Sequence, residues 1–418
     1  VMTVSSELRD ALCTEDLWRL MRRRVPPIVA EYFVGGADEE ITLKGNVKAF
    51  QQTVLNVRGA TRFETLDTST TVLGHELAVP WYISPVGSLR TIYPKGDAVA
   101  ARVAGKFGTV MGLSTLSGTR MEEVAAASSK QCWFQLYLCG GRDTALRAID
   151  RAKKAGFTAL FLTIDTGVSG QRRVHERMKP LQALHPWEGL SGNQRLQWIL
   201  RRLQLAPQMS TRLPWLTDLL GDEGVMRFVN IIDDKGEPMP FTDIGSQLAS
   251  SAVTWADFEW IREAWGRDRP IIIKGVHCAD DAKRAEDVGA DAVVWSNHGG
   301  RQMDRVPPTL HMVQSEMPKL SNSRLTFLMD GGIRCGTDVL IALSHGIQAV
   351  GIGRAMVAGL GAGGEAGLTR SFEILREGLE RGMRLTGVGS VDEIRSMGAE
   401  LRCECLLQGD SHLPPFVY

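Results

Sequence analysis

Short runs of apolar, often β-branched residues recur along the chain. Each stops at polar or glycine residues, and each is followed by a stretch with helical period. The runs are Pro80–Ser84, Thr109–Leu113, Trp133–Tyr137, Ala159–Ile164, Ile271–Lys274, Ala292–Trp295, Leu325–Met329 and Ala349–Ile352. Runs that are apolar on both faces fit parallel strands buried between an inner core and an outer layer of helices. Between them, Asp97–Phe107, Arg142–Gly156, Ala279–Gly289, Gly336–Gly346 and Glu365–Thr386 read as helices, several closing on glycine as helix C-termini do. Eight strand–helix alternations predict an α/β fold, a (β/α)8 TIM barrel with additions. Residues 1–75 read as an N-terminal helical segment packing on the barrel, 76–390 as the barrel and 391–418 as a C-terminal tail.

The large irregularity is an insertion after the fourth strand, at about 171–252. It is rich in proline and tryptophan, and an unstructured loop of that length does not suit a compact domain. Within it Leu196, Ile199, Leu200 and Leu203 fall at helical spacing beside Arg195. We expect a lid-like excursion. An interfacial membrane helix is the less favoured reading, because Asp218 and Asp222 interrupt a basic face.

Composition narrows the function. Across 418 residues Lys+Arg and Asp+Glu are 48 each, which argues against holding nucleic acid as a main task. No apolar run approaches membrane-spanning length, and Glu7, Asp10 and Glu15 do not suit a signal peptide. The seven cysteines are scattered, with Cys403-x-Cys405 the only close pair and no spacing that fits a zinc site. Reduced thiols in a cytoplasm, and no metal, are the expectation.

In such a barrel the chemistry belongs at the C-terminal ends of the strands. Those ends read Ser84-Pro85-Val86-Gly87, Ser114-Thr115, Gln135-x-Tyr137, Thr163-x-Asp165, Lys274, Ser296 through Arg301, Asp330 through Arg334, and Gly353-Arg354. Any one could cap a helix or make a turn; eight in register are hard to explain that way. The last two clusters suit a phosphate: glycines let backbone N–H groups approach an anion, and Arg334 and Arg354 add charge. His298 at the mouth can take a proton near neutral pH, Asp165 can hold the resulting imidazolium, and Arg301 can pair with a carboxylate. Gly359-x-Gly361-x-x-Gly364 matches a dinucleotide fingerprint, but no strand leads directly into it, so that reading is set aside.

These residues resemble the FMN-dependent α-hydroxy acid oxidases and dehydrogenases. The resemblance covers about 25–178 and 252–390. It is carried by Ser296-Asn297-His298-Gly299-Gly300-Arg301-Gln302, Leu328 through Arg334, Gly351-Ile352-Gly353-Arg354, Glu31-Tyr32-Phe33-x-Gly35-Gly36-Ala37, Phe134 through Tyr137, Leu162 through Thr166 and Ile273 through Val276. It implies FMN as cofactor and His298 as the base in oxidation of an α-carbon, with Asp165 behind it. Tyr32, Arg172 and Arg301 would bind the substrate carboxylate, Tyr137 its hydroxyl, and Leu116 would lie over the substrate. Pro85, Val86, Gly87, Ser114, Gln135, Thr163 and Ser296 would meet the flavin, with Lys274 at its pyrimidine end. Asp330, Gly332, Arg334, Gly353 and Arg354 would hold ribityl and phosphate. The family also implies oxygen or another electron acceptor, and a homotetramer or homo-octamer.

The sequence departs from the family pattern in places. Gly87 stands where many members carry alanine, and Leu116 where some carry an aromatic residue. His175 replaces the usual acidic group after the arginine pair. Small groups over the substrate leave room for a bulky side chain. The main alternative is therefore flavin-dependent oxidation of an amine or a larger natural product, by deamination, decarboxylation or monooxygenation.

Overall fold

A computed structural model describes residues 2–173, 191–222, 226–240 and 252–403, together with Gly224 and Leu248. Eight parallel strands close into a barrel in chain order: Trp81–Ile83, Met111–Ser114, Cys132–Leu136, Ala159–Thr163, Ile271–Val276, Ala292–Trp295, Thr326–Asp330 and Ala349–Ile352. The fourth strand pairs with the fifth, Leu162 opposite Ile273, so the chain crosses the long insertion without losing its place in the sheet.

Side chains alternate across each strand, which sorts the apolar runs into two cores. The outward set, with Trp81, Phe134, Leu160, Ile273 and Trp295, packs under the helices. The inward set, Tyr82, Trp133, Phe161, Ile272, Val294, Leu328 and Ala349, fills the barrel. Its three aromatic rings pack together with centroids 5.4 to 5.8 Å apart. A hairpin of Thr70–Val72 and His75–Leu77 plugs the N-terminal end, adding Val72 and Leu77 to the inner core.

Two residues further along six of the strands the same inward face turns polar. Phe161 is followed by Thr163, Ile272 by Lys274, Val294 by Ser296, Leu328 by Asp330, Trp133 by Gln135 and Tyr82 by Ser84. A polar ring thus rests on an aromatic floor at the barrel mouth.

Helices Met2–Asp10, Thr14–Arg24, Pro27–Val34 and Ile41–Gln51 precede the barrel. The chain then turns to extended structure, and Val54–Leu55 pairs with Arg402–Cys403. Residues 391–403 therefore return to the N-terminal segment, by way of helix Val391–Met397. The spaced glycines of the apparent dinucleotide fingerprint lie inside the last helix, Arg354–Thr386, where they admit neighbours: a Cβ at Gly361 would meet Met21, and one at Gly364 would meet Tyr93. Close packing explains the motif.

The insertion carries helices Gly192–Ser210 and Leu213–Gly221 and a hairpin of Arg227–Ile232 and Pro238–Pro240. His175 and Trp187 lie outside the described residues. Leu196, Ile199, Leu200 and Leu203 are indeed helical, and they are 42 to 64% exposed. The insertion is fixed instead by Trp215, whose indole donates to Thr91 O at 2.8 Å, and by a buried Arg90–Asp222 ion pair at 2.8 Å. Among the described cysteines Cys13, Cys132, Cys139, Cys278 and Cys335 are free, whereas Cys403 is disulfide-bonded, unlike the all-reduced expectation. No described helix is long and apolar enough to cross a membrane.

Because Phe161 touches both other rings of the inner core, Phe161→Ala should cost about 3–5 kcal/mol. Chemical denaturation should show a lower midpoint, whereas an unchanged midpoint would show that the barrel interior repacks around the loss.

Candidate active site

The polar ring opens into a cleft of about 1100 Å³, its mouth included. Three groups of side chains define it.

The first is a charge network at the floor. Lys274 is buried, and its Nζ lies 3.2 Å from Asp330 Oδ2 and 3.1 Å from Ser296 Oγ; Ser296 Oγ donates to Asp330 Oδ1 at 2.5 Å. Burial opposes the charge on Lys274, but Asp330 and Asp165 outweigh it and raise its pKa. Beside it Gln135 Nε2 donates to Thr163 Oγ1 at 3.1 Å, and Ser114 Oγ donates to Gln135 Oε1 at 3.2 Å. Gln135, Thr163 and Ser296 stand one layer behind the cleft wall, whereas Pro85, Val86, Gly87, Ser114, Lys274 and Asp330 line it.

The second group is a histidine–carboxylate pair. His298 Nδ1 lies 3.1 and 3.2 Å from the two oxygens of Asp165. Its backbone is left-handed, φ 57°, and its N–H donates to Ser296 Oγ at 3.1 Å, which aims the ring into the cleft. Such a backbone costs a non-glycine residue energy that the surroundings must supply. Burial pulls the imidazole below its ordinary pKa, with Asp165 opposing and Lys274 and Arg301 reinforcing the shift. Burial disfavours the charge on Asp165 in turn, but His298, Lys274 and His277 hold its carboxyl below the usual range. The carboxylate fits because Gly275, at φ 96°, interrupts the fifth strand; a Cβ there would stand 2.6 Å from Asp165 Cγ.

The third group is cationic. Arg301 Nη1 donates to Tyr32 O at 2.8 Å and Gly35 O at 3.0 Å, and its guanidinium lies 5.4 Å from the Tyr32 ring centroid. Arg172 lies 5.8 Å from the same ring, and its Nε is buried with no hydrogen-bond partner among the described residues. Burial, then Arg172, pushes the Arg301 guanidinium down to about 9. Two neighbouring guanidiniums, one with a buried donor left unused, can form a receptor for an anion. Arg173 is turned elsewhere, pairing with Asp38 at 3.0 Å and with Glu39. The structure thus brings Arg172, and not Arg173, to the cleft.

At the far end Gly332, Gly353, Arg334 and Arg354 line the cleft. Arg354 is tied to backbone, donating to Gly299 O at 2.8 Å and Gly35 O at 3.0 Å. Burial pulls both arginines below their ordinary pKa, Arg354 with Arg301 and Arg334 adding to the effect. Ser84 Oγ, on the cleft wall, is buried and without a hydrogen-bond partner among the described residues. Glycines, two buried guanidiniums and an orphaned hydroxyl fit a phosphate-bearing cofactor laid across the mouth.

Over the opposite side stand Tyr137, Leu116 and Leu248. Behind them Met226, Phe228 and Ile231 of the insertion pack on Tyr137 and Cys139. Among the described insertion residues, Arg172 and Leu248 are the ones that line the cleft. Leu248 carried no signal in the sequence. Gln302 closes the most specific motif, but its contacts could not be read from spacing.

The family model for FMN-dependent dehydrogenases matches residues 21–400. The pre-mycofactocin synthase of Mycobacterium tuberculosis (strain H37Rv) is 36% identical over 384 residues, covering 89% of this chain and 90% of that protein. A peroxisomal (S)-2-hydroxyacid oxidase of Arabidopsis thaliana is 30% identical, covering 91% of this chain and 94% of that one. Among solved structures, the monotopic membrane protein (S)-mandelate dehydrogenase superposes with a TM-score of 0.80 at 29% identity, covering 94% of this chain and 99% of that one.

If Arg334 answers a phosphate, Arg334→Met should weaken cofactor retention by at least about tenfold, the worth of one charge-assisted hydrogen bond. Flavin absorbance per protein after gel filtration measures this, and full retention would remove Arg334 from the anion site.

Proposed function

The chain belongs to the FMN-dependent dehydrogenase family, and from that premise we propose that it oxidises the α-carbon of a 2-hydroxy acid to the 2-oxo acid, with His298 as base. It is an FMN-dependent oxidoreductase. The observation that carries the finer reading is the juxtaposition of the His298–Asp165 pair with the unmatched Arg172–Arg301 cations in one cleft.

Bound FMN supplies a two-electron acceptor. The protein's part is to bind, orient and move a proton. Arg172 and Arg301 take the substrate carboxylate, and Tyr32, between them, holds the guanidiniums in place. That anchor directs the α-carbon and its hydroxyl toward His298 and Tyr137. His298, kept neutral by burial, accepts the proton at Nε2, and Asp165 on Nδ1 stabilises the imidazolium that results. Lys274, charged and buried at the floor, offers positive potential where negative charge accumulates during oxidation. Pro85, Val86, Gly87 and Ser114, with Gln135, Thr163 and Ser296 behind, would shape the wall for the flavin ring, and Asp330, Gly332, Arg334, Gly353 and Arg354 would hold its ribityl phosphate. Oxygen or another acceptor would take up the electrons, and a cytoplasmic homo-oligomer is the form we propose.

The substrate side chain faces Leu116, Leu248 and the apolar hairpin behind them, which suits a bulky apolar group. A second reading, oxidation of an amine or a carbon within a larger substrate, is supported by the similarity to pre-mycofactocin synthase and by the small Gly87 in the cleft wall.

Anaerobic addition of lactate, mandelate and longer 2-hydroxy acids should bleach the flavin band, most efficiently with an apolar side chain. Flavin that none of them bleaches, but an amine does, would move the assignment to the second reading. His298→Ala should keep bound FMN and slow reduction by about 10²–10⁴-fold; full activity would remove the base assignment. Because the base must be neutral, kcat/KM should rise with pH and level off from a midpoint below the ordinary histidine value of about 6.5. A midpoint well above it would show that burial does not govern this imidazole.

A further inference from the structure

The proton-handling pair and the carboxylate receptor sit on two different loops, and neither loop alone is complete. Asp165 and Arg172 follow the fourth strand; His298 and Arg301 follow the sixth. Beside the His298–Asp165 contact itself, Gln302 ties the two loops together through their backbones. Its Nε2 donates to Asp165 O at 2.9 Å and to Val168 O at 3.0 Å, and its Oε1 accepts a long bond from Gly170 N at 3.5 Å. Both amide hydrogens are thus committed to the opposite loop. The loops also touch at Gly170, where a Cβ would overlap Arg301 O and Gln302 O.

We propose that Gln302 is a positioning residue that fixes the loop carrying Asp165 and Arg172 against the loop carrying His298 and Arg301, so that proton transfer and carboxylate binding share one geometry. The proposal rests on the hydroxy acid reading given above. An amide suits this task because it donates twice without adding charge beside a carboxylate and two guanidiniums. A lysine there would compete for Asp165, and a glutamate would face two carbonyl oxygens with no hydrogen to give. The charged groups around His298 are Asp165, Lys274 and Arg301; the titratable groups around Asp165 include His277 and the neutral Tyr137 as well. Loosening the clamp moves Asp165 and Arg172 together and leaves Lys274 and the Arg334–Arg354 end in place.

The test uses the holoenzyme with Gln302→Met, which removes both donors at similar size, and Gly170→Ala, which separates the loops from the other side. Flavin content should match wild type in both. Oxalate, a carboxylate that cannot be oxidised at an α-carbon, should bind about tenfold more weakly by calorimetry, through loss of a well-placed guanidinium. In turnover KM should rise along with the fall in kcat. The acidic limb of kcat/KM should also move to lower pH, because Asp165 no longer supports the imidazolium. Wild-type oxalate affinity and an unmoved pH limb in a variant with normal flavin content would overturn the proposal, even if that variant were less stable. If wild-type enzyme reduces its flavin with no hydroxy acid, the functional reading falls instead, and the oxalate comparison still decides the role of Gln302.

Discussion

The buried contact of Lys274 with Asp330 and Ser296, seated on Tyr82, Trp133 and Phe161, is the constraint on which the mouth of this barrel depends. Removing a lysine and a carboxylate from water is costly, and the cost is met only by tight mutual geometry and by hydrogen bonds to the remaining lone pairs. Ser296 supplies that bond to Asp330 and accepts the N–H of His298 as well. The floor of the site and the direction of its base are therefore set by one hydroxyl. The aromatic layer beneath excludes water from below, so the field of Lys274 reaches the cleft only from one side.

From that floor the site is completed by segments far away in the chain. The carbonyls of residues 32–35, at the end of an N-terminal helix, accept from Arg301 and Arg354 and hold both guanidiniums in position. Among its described residues the insertion brings a cation, Arg172, and an apolar side chain, Leu248, to the cleft, while Leu196, Ile199, Leu200 and Leu203 stay exposed. Charged groups come from the strand ends, and the apolar shape above them from an excursion with its own packing.

Much of this was legible before any coordinates. Inward positions alternate with outward ones, so an apolar run that ends in a polar residue two places after an inward apolar one marks a barrel mouth; Phe161 to Thr163 and Leu328 to Asp330 are instances. His298, Arg301 and the glycine–arginine pairs could be placed at that mouth because strand direction fixes which end they occupy. The resemblance to FMN enzymes then attached roles to residues the periodicity had already gathered.

Tertiary structure alone decided the rest, because the deciding contacts join residues far apart in sequence. Nothing in the local pattern distinguishes Arg172 from Arg173; the acids at 38 and 39 do, by drawing Arg173 away. Nor does spacing show that Gln302 spends both its hydrogens on the loop of Asp165, or which neighbours Gly361 and Gly364 admit. Strand order, the polar layer and the kinds of chemistry are short-range consequences of side-chain alternation, and the sequence by itself determined them. Which of two arginines faces the cleft, what walls it and what fastens its two halves depend on long-range packing, and only the folded chain decided them.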